Sequence, residues 1–281
     1  MARPHDMEPE RGPGGLGVAD LSHLNALVLE ETMTTQNVVG RMLELLGARL
    51  RLALTPKQAL RALEEDRFDI ALVAASLDDP AAPGADFVTD VRSRAAERGV
   101  AIKVLLLAAS MEIPALLERT GADGAIVKPL PGIVTFGDTI RRALEGDASP
   151  AAAGAQDAVA ETLPPLEKPV LDASVLDDLA RSIGGDAMEG VLAAARAEFE
   201  GAEAALRAAS AGPDLQTLRE VTHVLMGISG QFGALALERE ARALNRAIHA
   251  GFGGDGAARL AATISMLGEV RARLAGWRPA A

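Results

Sequence analysis

The chain has 281 residues, room for two ordinary domains and a linker. Its 28 Lys and Arg against 39 Asp and Glu leave a formal net charge of −11, which argues against partners that need a basic patch, nucleic acid and anionic membrane surfaces. With no cysteine there is no disulfide and no thiolate metal site, and four widely spaced histidines argue against a histidine site.

Met1 to Gly17 is charged and rich in Pro and Gly without a signal-peptide core, so residues 1–20 read as a disordered tail. Leu24 to Leu29 is a short apolar run ending at Glu30 and Glu31, the pattern of a buried strand. Gln36 to Leu46 has helical apolar spacing (Val38, Val39, Met42, Leu45, Leu46) and stops at Gly47. Strands follow at Arg49–Ala53, Asp69–Ala75, Ala101–Ala108 and Gly124–Val127. Helices are expected at Pro56–Glu64, Asp86–Arg98, Glu112–Thr120 and Phe136–Leu144. Alternation of this kind implies a parallel sheet covered on both faces, with a flavodoxin-like order over residues 21–147.

Residues 148–168 are rich in Ala, Pro, Gly and acidic residues without apolar period and read as a flexible linker. Beyond it the pattern is all helical, at Ala173–Ser182, Asp186–Ala208, Leu215–Phe232, Leu235–Ala250 and Gly256–Leu274. Short loops between amphipathic helices imply an up-down bundle over residues 169–281. No apolar run is long enough to span a bilayer, and a cytoplasmic protein is expected. Abundant Ala and Arg with scarce Lys points to a GC-rich bacterial genome.

One helix carries the chemistry. Val221, Val224, Leu225, Ile228 and Phe232 form its apolar stripe, and His223 faces away from most of it. Gly227 and Gly230 stand beside His223, although a glycine inside a helix costs roughly 1 kcal/mol against alanine. Two such costs next to one imidazole suggest that something large must reach it. The plainer reading is a helical histidine with no chemical role. His5, His23 and His249 are assigned none.

The segment from His223 to Gly233 resembles the motif of histidine phosphotransfer (HPt) domains, a histidine followed by x-Leu-Lys-Gly and a later Gly. The lysine position here holds Met226. The resemblance covers most of residues 169–275 and implies a four-helix bundle with an extra N-terminal helix. It also implies that His223 accepts a phosphoryl group, with Gly227 at the motif glycine and Gly233 at the distal one. Arg219, one turn earlier, could supply the charge that Met226 cannot.

Residues 21–147 resemble a response-regulator receiver domain. Leu27-Val28-Leu29-Glu30-Glu31 carries the resemblance, with Arg41-Met42-Leu43-Glu44 and Lys128-Pro129. The alignment puts Glu30 and Glu31 at the metal-binding acidic pair, Ala74 at the phosphoacceptor aspartate, Ala108 at the hydroxyl position and Lys128 at the lysine. A methyl group neither accepts phosphate nor binds metal, so the resemblance implies a pseudo-receiver without metal or cofactor. Asp78 and Asp79 stand beyond the strand end, too far along the loop to replace the acceptor easily. Lys128 is expected to pair with Glu30 and Glu31 in place of a metal.

Two functions follow. One is a phosphorelay intermediate that takes phosphate from a receiver, such as that of a hybrid histidine kinase, and passes it to another. The other is a non-catalytic adaptor that binds kinases or receivers, or dimerises through the pseudo-receiver. No P-loop and no kinase nucleotide-binding glycine box is present.

Overall fold

The computed structural model describes residues 18–75, 85–108, 113–146, 170–212 and 214–278. Most of the tail, the linker, Asp78 and Asp79 lie outside the described residues.

Five strands, β1 (Asn25–Leu29), β2 (Arg49–Ala53), β3 (Ile70–Ala75), β4 (Lys103–Ala108) and β5 (Gly124–Val127), form one parallel sheet in the order β2-β1-β3-β4-β5. Between and after them run α1 (Met33–Leu45), α2 (Pro56–Glu65), α3 (Ala85–Glu97), α4 (Ile113–Thr120) and α5 (Ile133–Glu145). This is the expected flavodoxin-like order. Residues alternate between two apolar layers because successive side chains point to opposite faces. Ala26, Val28, Ile70, Leu72, Leu105 and Leu107 pack with α1 and α5. Leu27, Leu29, Ala71, Val73, Val104 and Leu106 pack with α2, α3 and α4.

Helix α1 begins at Met33, three residues before its predicted start, and Leu45 points to solvent rather than into the core. The expected α1 pattern was weakened by Met33-Thr34-Thr35, where β-branched residues stand in the first turn. Thr34 and Thr35 are fully buried.

The C-terminal part is helical throughout: α6 (Ala173–Ile183), α7 (Gly185–Ala211), α8 (Leu215–Ser229), α9 (Leu235–His249) and α10 (Gly254–Gly276). Helices α7, α8, α9 and α10 each pack on the next, and α10 returns to α7, which closes a four-helix bundle with α6 outside it. The predicted helix over Leu215–Phe232 is shorter. It tightens at Gly230–Phe232 into a 3-10 turn and stops at Gly233 in the left-handed region, φ 75°. A Cβ at Gly233 would lie 2.5 Å from the Asp172 carbonyl oxygen, so the start of α6 passes directly over this glycine.

The two parts share a core. The α1/α5 face of the sheet and the interior of the bundle form one connected set of buried apolar side chains, from Val28 and Phe136 to Phe199, Phe232 and Trp277. Helix α1 is the hinge of this packing, lying against α7, α6 and α8 as well as its own sheet.

Candidate functional site

Helix α8 is set by its first turn and by its roll. The Asp214 side chain accepts from the backbone N–H of Gln216 at 3.0 Å and from the Thr217 hydroxyl at 2.6 Å, capping the helix. Leu218, Leu225 and Ile228 are fully buried. The Thr222 hydroxyl donates to the Leu218 carbonyl at 2.8 Å and accepts from the Asn245 amide on α9 at 2.8 Å. This buried bond fixes which way the next residue, His223, points.

His223 points at the α/β part. Its Nε2 lies 3.3 Å from a Glu31 carboxylate oxygen, and its side chain is 26% exposed. Its Nδ1 is buried. Glu31 follows β1, at the carboxyl edge of the sheet, where ligands bind in open α/β folds. One turn beyond His223, a Cβ on Gly227 would meet the Thr32 methyl at 3.5 Å. The glycine therefore does face a close neighbour, and that neighbour belongs to this chain. Two further bonds, one from the first turn of α1 and one from the loop after β5, hold this edge to the bundle. The Thr34 N–H donates to Glu198 on α7 at 3.2 Å, and the Leu130 N–H donates to Gln231 at 2.8 Å.

The acidic pair is split. Lys128 Nζ lies 2.6 Å from Glu30, both side chains nearly fully buried, but Glu31 turns the other way to His223. The expectation that Lys128 would pair with both carboxylates is thus corrected. Glu30 also accepts from the Thr32 N–H at 3.1 Å and its hydroxyl at 2.8 Å, so its burial is compensated on every side. Ala74 sits near the end of β3, and Ala108, fully buried, ends β4 beside Val127. A divalent cation does not fit this edge: one glutamate is held by an ammonium, the other faces an imidazole, and the third-strand position is a methyl group.

Gly230 is also corrected. It is buried, and a Cβ there would lie 2.6 Å from the Glu238 carboxylate of α9 rather than in an open approach to His223. Burial pushes the Glu238 carboxyl above the usual carboxylate range, against the opposing pull of Arg242. Met226 is only 4% exposed, and Arg219 lies at the surface one turn before His223. An ammonium at position 226 would be enclosed, which methionine tolerates and lysine does not.

Sequence reasoning missed Thr32, Thr34, Glu198, Gln231 and Asn245. Gln231 left a trace, a polar side chain between Gly230 and Phe232 in an otherwise apolar turn. Glu198 left none, since a glutamate on a long amphipathic helix reads as surface.

A doubly wound α/β layer of flavodoxin-like order, its carboxyl edge closed by a histidine-bearing helical bundle, defines the class. No protein-family model matches the sequence, and no curated protein sequence does either. Among solved structures, the N-terminal part is similar to receiver domains. Vibrio cholerae chemotaxis protein CheY4 is 24% identical with a TM-score of 0.37, the match covering 43% of this chain and 98% of that one. A response regulator receiver protein from Burkholderia phymatum is 19% identical with a TM-score of 0.35, covering 43% and 95%. The receiver domain of a modulated diguanylate cyclase from Desulfovibrio desulfuricans is 20% identical with a TM-score of 0.35, covering 43% and 90%. These similarities concern the fold alone. No helix among the described residues is long and apolar enough to cross a membrane.

Proposed function

We propose that the protein is a phosphorelay intermediate of two-component signalling, in which His223 carries the phosphoryl group. The reaction asks for a neutral imidazole at a protein surface. Its nitrogen lone pair forms the N–P bond while the O–P bond of an aspartyl phosphate breaks and the carboxylate leaves. Positioning and charge neutralisation supply most of the rate, and the donor receiver brings its own metal and lysine. The observation that carries this reading is the placement of His223, partly exposed in the middle of a bundle helix and facing the carboxyl edge of an α/β layer, with Gly227 one turn on in close approach to Thr32. A receiver domain would present such an edge to its partner histidine.

In this reading the α/β part is a pseudo-receiver, kept for contacts and regulation. The partners are receiver domains of response regulators and hybrid kinases, and the setting is the bacterial cytoplasm. Arg219 is the candidate for charge support and Gly227 for close approach. Incubation with phosphorylated receivers, or with phosphoramidate, should put an acid-labile, base-stable phosphate on the wild type and none on His223→Ala. Label on both proteins, or on neither, rejects the proposal.

A second reading is favoured by the Lys128–Glu30 pair, by Ala74 and by the enclosed Met226. The chain would then be an adaptor that binds receivers or kinases, or pairs with itself, without transfer. In that case His223→Ala would keep the biological activity.

A further inference from the structure

We propose that the α/β part is a built-in occupant of the His223 face, so that residues 30–34 must lift before any external receiver can dock. This rests on the reading of His223 as the phosphoryl carrier and adds how that site is controlled.

Four contacts make the closure. Glu31 caps Nε2 at 3.3 Å, the Thr32 methyl fills the space over Gly227, the Thr34 N–H reaches Glu198, and the Leu130 N–H reaches Gln231. They come from the loops after β1 and β5, which meet at the Lys128–Glu30 pair, and from the first turn of α1, and they land on α7, α8 and the turn after α8. The apolar core runs on beneath them.

The closed arrangement is wrong for transfer in three ways. Nδ1 is buried, so Nε2 is the nitrogen that can reach a partner. Glu31 stands against Nε2, so the ring edge that would attack phosphorus is turned to a carboxylate of this chain. The attacking distance of about 3–3.5 Å is already taken by Glu31. The groove beside it is lined by Glu31, Glu198 and Glu220, and an incoming phosphoryl group is itself anionic.

The absence of cysteine permits a clean lock. Thr32→Cys with Gly227→Cys in the full chain can form a single disulfide that holds the cover shut. Three forms are compared: wild type, Glu31→Ala, and the double-cysteine protein oxidised and then reduced. Each is given diethylpyrocarbonate, which acylates accessible imidazole, and wild type and Glu31→Ala are separately given a phosphorylated receiver. Peptide mapping reads the adduct at His223. Removing the carboxylate that stands over Nε2 should raise the acylation rate of Glu31→Ala about fivefold over wild type. The lock is read by acylation alone, since it alters Gly227: the oxidised form should acylate more slowly than the reduced one, and phosphate acceptance is compared between wild type and Glu31→Ala. Equal rates in wild type, Glu31→Ala and both states of the lock would overturn the cover. Faster acylation of Glu31→Ala with no phosphate on either protein would uphold the cover and reject the phosphoryl carrier.

Discussion

Lys128 and Glu30 are the residues where the receiver likeness and the structure part company. Their side chains are 7% and 3% exposed, with nitrogen and oxygen 2.6 Å apart. A buried pair of this kind is weak evidence for stability as a whole, but losing one partner strands the other charge. Lys128→Met should therefore destabilise the protein by about 3–5 kcal/mol, measured by urea unfolding. Glu30→Gln combined with Lys128→Met should return most of that loss, since neither charge then remains buried alone. An unchanged midpoint for Lys128→Met would mean that Thr32 and its backbone N–H satisfy Glu30 without the lysine. Glu31, one residue on, shares none of this enclosure and is left to face His223.

At the scale of elements, the end of α8 decides how the bundle meets the rest. Gly233 stops the helix at φ 75°, its carbonyl accepts from the Asp172 N–H at 3.0 Å, and the start of α6 crosses above it. Gly233→Ala adds both a left-handed strain and a clash with backbone, neither of which a rotamer change relieves. A loss of about 2–3 kcal/mol is expected in thermal or urea unfolding. Gly227→Ala is the control. Its new methyl would make ordinary contact with Thr32 at 3.5 Å, and alanine is the better helix former. That variant should be as stable as wild type. The two glycines look alike in the sequence motif, and the structure gives them different physical jobs.

The whole molecule should unfold as one unit. The core that fills the bundle continues into the α1/α5 face of the sheet as one connected apolar cluster. Trp277, the sole tryptophan, ends the last bundle helix and is 9% exposed. Its fluorescence therefore reports the helical part, while far-ultraviolet dichroism reports both. The two signals should share one midpoint. Ile140→Ala, in the α/β part, opens a cavity worth about 2–5 kcal/mol. It should lower the midpoint seen by Trp277 as much as that seen by dichroism. A Trp277 transition that stays put would mean that the two parts unfold separately.

The sequence by itself determined the elements, because hydrophobic periodicity and caps act within a few residues. It set the alternating strands and helices, the helical second part, the helix bearing His223, and the methyl groups at Ala74 and Ala108. Element ends moved where β-branched residues masked a helical first turn, as at Met33, or where a left-handed glycine ended a helix early, as after Ser229. Only the tertiary structure decided what the neighbouring glutamates do. Glu30 and Glu31 are chemically the same residue, and no local pattern says which turns inward to Lys128 and which meets His223. That choice depends on how the sheet edge seats on α8, through contacts between residues far apart in the chain. The same packing made Gly227 a point of close approach and Gly230 a buried neighbour of Glu238, a distinction that spacing along one helix cannot make.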